Sequence, residues 1–163
     1  MTRSEAISHI RMIAADRGYA WPGTDRRELV EAGLDALLAG ADSPSLRMLA
    51  GLGRNEAHMA DELFDHVLEE LGLLPLLPAD VAAARREMAR YWAGLIARGA
   101  LPAADGVRLI RGAAAELESY GELADLVQWA EALDEVEYDR ESSPYAQADV
   151  LTGIVAAARL LSG

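Results

Sequence analysis

The sequence contains no cysteine, which excludes disulfides, iron–sulfur clusters, thiolate zinc sites and cysteine nucleophiles in one step. No run reaches the roughly eighteen consecutive apolar residues of a membrane-spanning helix, and the stretch Leu73 to Ala84 is broken by Pro75, Pro78 and Asp80. The first residues, Met1 to Glu5, lead into an amphipathic segment without the apolar region and small-residue cleavage site of a secretory signal, so a cytoplasmic protein is the expectation. Alternating β-branched runs are absent, and strands are therefore not expected. There is no G-x-S-x-G elbow, Walker loop, G-x-G-x-x-G fingerprint or kinase motif, and "GLGRNE" at 51–56 lacks a preceding strand to give its glycines meaning. No catalytic residue and no cofactor are assigned.

What the chain does have is apolar bulk and acid. Its 163 residues are 52% hydrophobic and 26% charged, enough for a real core without a staple. The net charge is −12, which argues against displacing counterions from nucleic-acid phosphates and against an anionic membrane surface. The excess is uneven: residues 1–115 carry 16 acids and 13 arginines, whereas residues 116–149 carry 11 acids and Arg140 alone. Asymmetry of this kind points either to a basic protein partner or to a solvated acidic face.

Apolar residues recur at three- and four-residue spacing almost everywhere, which predicts an all-α chain of about seven to eight helices in bundle-like packing. A single domain over 1–163 is expected, with subdomains 1–72 and 78–163 as the alternative, divided at the apolar connector Leu73–Pro78. The first helix runs from about Ser4 to Arg17 on a stripe of Ala6, Ile7, Ile10, Ile13 and Ala14. Asp25 with Glu28 predicts a capped helix to about Ala39, with Leu29, Val30, Leu34, Leu37 and Leu38 as its apolar face. Ser43-Pro44 opens a short helix to Ala50, and Asn55 is a candidate cap for a helix that Gly72 closes. The longest helix spans about Pro78 to Arg98 with Val81, Ala84, Met88, Tyr91, Trp92 and Leu95 buried. Further helices begin near Pro102, within "ELADLVQWAEALDEV", and at Ser143-Pro144. Gly33, Gly94, Gly106, Gly112 and Gly153 fall inside these patterns, each costing up to about 1 kcal/mol against alanine, and close helix approach is the expected compensation.

Three groups of residues could carry function. His58, Glu62 and His66, at i, i+4 and i+8, have ligand spacing for a divalent ion such as zinc, yet their stripe lies opposite Leu63, Phe64, Val67 and Leu68 and so points to water. The stretch "EALDEVEYDRE", 131–141, with Glu131, Asp134, Glu135, Glu137, Asp139 and Glu141, lacks the glycine of a calcium loop. With Tyr138 and Tyr145 interleaved, it reads as an acidic surface for a basic partner, anchored by tyrosines. Trp129 is expected to pack inward with Leu126 and Leu133. Tyr19 and Trp21, in "RGYAWPGTD", are a second candidate anchor or a loop pinned by buried aromatics. His9, at the edge of the first apolar stripe and without an identifiable Ser or Asp partner, reads as a boundary residue.

All fifteen basic residues are arginine, and alanine and leucine dominate, a usage that suggests a GC-rich bacterial genome. The segment "LLAGADSPSLRMLAGLGRNEAHMADELFDHVLEELG", 37–72, resembles a stretch recurring in small helical actinobacterial proteins without assigned activity. The pattern of "IARGALPAADGVRLI" and "ELADLVQWAEALDEVE" resembles small acidic helical immunity partners of bacterial toxins. That likeness implies a non-catalytic protein–protein interaction module, an immunity-type inhibitor whose acidic 116–149 region covers a basic surface. A metal-dependent or small-ligand helical enzyme built on His58, Glu62 and His66, and a self-associating homo-oligomeric module, are the alternatives.

Overall fold

The side chains that begin each helix fix where the backbone can turn in. The computed structural model describes residues 1–17, 25–138 and 144–162, and of Pro144 and Tyr145 the backbone alone. Asp25 accepts from the Arg27 amide at 3.0 Å and opens α2 (Arg26–Leu38). Ser43 Oγ accepts from the Leu46 amide at 3.3 Å, with Pro44 at the first position, and opens α3 (Pro44–Ala50). Ahead of these lies α1 (Arg3–Arg17), and after them come α4 (Ala60–Glu70), α5 (Pro78–Ala97), α6 (Ala103–Ala115), α7 (Ala124–Tyr138) and α8 (Pro144–Ser162). Two 3₁₀ segments, Arg54–Met59 and Gly121–Leu123, precede α4 and α7. The fold is all-α: 81% of it is helical, and no strand occurs among the described residues.

The helix expected to begin at Asn55 is two elements. Residues 54–59 wind as 3₁₀, and the Glu56 carboxylate reaches back to the Gly53 amide at 3.0 Å, so Asn55 is not the cap. A tighter turn satisfies the first amides there without a serine or aspartate cap.

The helices form two compact units, Met1–Arg85 and Arg86–Gly163. The division falls inside α5, so the apolar connector at 73–78 belongs to the first unit. In that unit α2 packs on α1, α3 and α4, and α3 on α4. Its core joins Ile10 and Ile13 of α1, Leu29, Ala32 and Ala36 of α2, Leu46 and Leu49 of α3, and Leu63, Phe64, Val67 and Leu68 of α4. Of the face expected for α2, Leu29 is buried and Val30 and Leu37 pack partly buried against the core, but the stripe does not extend to the other two leucines. Leu34 and Leu38 are exposed, at 43% and 77%, while Ala32, Gly33 and Ala36 are buried beside Leu29. A Cβ on Gly33 would lie 3.0 Å from Leu49 of α3, so the small residues are what let these two helices meet closely.

In the second unit α6 packs on α7 and α8, and α7 on α8. Met88, Trp92, Ile96, Ile110, Leu126, Leu133 and Ile154 are among its buried side chains. Two of its glycines are contact points. A Cβ on Gly106 would fall 2.6 Å from Ile96, and one on Gly153 would fall 2.4 Å from the ring of Trp129, which is how that half-buried indole packs inward. Gly112 has nothing within 4 Å, and a Cβ on Gly94 would meet the Arg98 side chain just past the end of α5 at 3.2 Å and Ser162 of α8 only at 4.0 Å, so close helix approach does not explain those two. Among the described residues no helix is long and apolar enough to cross a membrane.

Candidate functional site

α7 carries the acids singled out in the sequence, and its helical turn separates them into two sets. Asp134 and Glu137, three residues apart, accept from Arg111 and Arg108 of α6, so both carboxylates are tied down within the unit. Glu131, Glu135 and Tyr138 stand at i, i+4 and i+7, which places them on one face, and all three are exposed. Tyr138 is 92% exposed and edges a shallow depression together with Asp134, Glu135 and Glu137. Glu135 and Glu137, two positions apart in the sequence, therefore do not make one row: on a helix that separation means nearly opposite directions. Asp139 and Glu141 lie outside the described residues, as do the side chain of Tyr145 and both Tyr19 and Trp21.

The last turn of α7 contains no basic residue. Glu135 stands in that turn, against the negative end of the helix dipole and without an ion-pair partner among the described residues. This placement costs the isolated protein stability, which a purely solubilising acid elsewhere on the surface would not.

His58, Glu62 and His66 are exposed, and the first of them sits in the 3₁₀ segment rather than in α4. The 100° step that aligned His58 with the other two does not hold through a 3₁₀ turn. Among the described residues no group of three or more His, Cys, Asp or Glu side chains is arranged to hold a metal ion. His9 of α1 is half-buried, and its Nδ1 is buried without a hydrogen-bond partner. Burial lowers its pKa, with the Asp35 carboxylate of α2 opposing.

Sequence reasoning missed a cleft of about 850 Å³ in the first unit, between the start of α2 and the 3₁₀ segment. Arg26, Arg27 and Arg54 line it with Asp25 and Asp61, over the half-buried Val30, Leu52 and Ala57. Asp61 accepts from Arg26 Nε at 2.9 Å and from Arg17 at 3.3 Å, and Arg27 is held by Glu31 at 2.7 Å. Arg17 is fixed in turn by Asp65 at 2.8 Å and by stacking 5.1 Å over the buried ring of Phe64. The only sequence signal was "TDRREL" at a helix start, and its arginines converge with Arg54 only once α2 and the 3₁₀ segment are packed together.

Compared with known proteins, the chain matches no family model, no curated protein and no solved structure.

Proposed function

We propose that the protein is a non-catalytic interaction module that offers the Glu131–Glu135–Tyr138 face of α7 to a basic protein partner, as an immunity-type inhibitor would. The observation that carries this reading is the 92% exposed Tyr138 on the same helical face as two unpaired carboxylates, one of them at the unfavourable end of its helix. Carboxylates steer a basic surface into register, and a tyrosine adds apolar area with little entropy to lose on contact. Asp134 and Glu137 stay with their arginines and act as the frame of that face, rather than as contacts.

The test is a kinetic titration of the purified product of the neighbouring gene. Neutralising Glu131 and Glu135 together as E131Q/E135Q is expected to lower the association rate by about tenfold at low salt and to flatten its salt dependence. Tyr138→Ala is expected to speed dissociation. Because Glu135 opposes the helix dipole, E135Q should also melt slightly higher than wild type, so a loss of binding cannot be blamed on unfolding. Rates and salt dependence identical to wild type in both variants would sink the reading.

A further inference from the structure

The first unit carries six more acids than arginines, 14 against eight, yet the cleft beside α2 is lined by three arginines against two aspartates. Asp25 is engaged as the cap of α2 at 3.0 Å from the Arg27 amide, and both oxygens of Asp61 are taken, by Arg26 Nε at 2.9 Å and Arg17 at 3.3 Å. On the cationic side, among the described residues Arg26 uses only Nε, with no acceptor at its two terminal nitrogens, and Arg54 has no acceptor at all. Two guanidinium groups with unused donors thus border a concavity in which Asp61 is already taken and Asp25 is turned through its Oδ1 to the cap of α2. Arginine is the side chain whose planar fork matches a carboxylate or phosphate with two parallel bonds. Beneath them Val30, Leu52 and Ala57 give an apolar wall, and a volume near 850 Å³ is that of a small-molecule cleft rather than of an ion site.

We infer that this cleft binds a small amphiphilic organic anion, its carboxylate or phosphate head on Arg54 and the free end of Arg26, its apolar body against Val30, Leu52 and Ala57. The site lies apart in sequence from the α7 face and does not depend on the function proposed for it. Calorimetric and NMR titrations of the full chain at pH 7 test it with octanoate and octyl phosphate as probes, octylammonium as the charge-reversed control, and inorganic phosphate as a head without a body. Saturable binding of octanoate or octyl phosphate, with shifts at the Arg54 side chain, is expected, and the stronger of the two names the head group. Arg54→Ala should weaken it by at least about tenfold, the worth of one charge-assisted contact. Val30→Trp, which fills the wall from α2 while leaving both arginines and the 3₁₀ turn untouched, should abolish it and guards against an Arg54 variant that perturbs that turn. The inference is overturned if neither anionic probe binds, if octylammonium binds as well as they do, if inorganic phosphate binds as tightly as octyl phosphate, or if R54A binds like wild type.

Discussion

Arg85 is only 4% exposed, and its guanidinium meets the half-exposed Asp16 carboxylate of α1. A buried cation is tolerable only while its acceptor remains, so Asp16→Ala should destabilise by about 1–3 kcal/mol. The double variant D16A/R85M, which removes both charges, should recover part of that loss in urea denaturation. Glycines give a sharper contrast. Gly112 faces open space within α6, so G112A should stabilise by about 0.5–1 kcal/mol through helix propensity alone. Gly153 faces Trp129 at 2.4 Å from a built Cβ, so G153A should destabilise by about 1–3 kcal/mol by overpacking. Paired melts of the two variants decide it, and the same sign for both would contradict the packing described. His9 makes a pH prediction at this scale. Its pKa is lowered in the folded chain, chiefly by burial, so its neutral form favours folding above the ordinary histidine value of 6.5. That contribution is lost as pH falls below 6.5, and H9Q should therefore lose less stability than wild type between pH 7 and 5.5.

Elements show where periodicity was a sufficient guide. α4 buries Ala60, Leu63, Phe64, Val67 and Leu68 of a stripe expected to run on to Leu71, which lies just past the helix and is partly buried, because long apolar side chains at helical spacing leave only one way to face a core. α2 shows where it was not: leucine at 34 and 38 marks hydrophobicity, but the choice of contact face went to Ala32, Gly33 and Ala36, which admit Leu49. Leu29→Ala should cost about 2–5 kcal/mol, whereas L38Q should change stability by less than about 0.5 kcal/mol. Thermal melts of the two test the face directly. The start of α3 depends on a side chain from another helix. The Glu70 carboxylate of α4 accepts from the Ser45 amide at 2.9 Å and the Ser45 hydroxyl at 2.7 Å. Hydrogen bonds from the Ser43 hydroxyl first, and then from Ser45, hold its pKa below the ordinary 4.5. A depressed carboxylate stabilises above its ordinary value and loses that effect as pH falls through the lowered one. E70Q should therefore melt below wild type at pH 7, with the gap closing below pH 4.5.

At the scale of the whole molecule, each unit carries an excess of six acids, 14 against eight arginines in the first and 13 against seven in the second. Self-repulsion of this size should be relieved by screening, so the melting temperature should rise between 10 and 200 mM salt, and a fall would mean that the surface ion pairs dominate. The all-α class, the approximate helix ends and the acidic weight of 116–149 were determined by the sequence alone, because spacing, caps and charge are local properties. Which acids remain available was decided by tertiary structure: Asp134 and Glu137 look the same as Glu131 and Glu135 in the sequence until α6 brings Arg111 and Arg108 beside them. The cleft is likewise a product of packing. Arg26 and Arg54 are 28 positions apart in the sequence, and no periodicity within either segment encodes their meeting. A local pattern states what a side chain is, but its free donors and acceptors depend on neighbours that only the folded chain supplies.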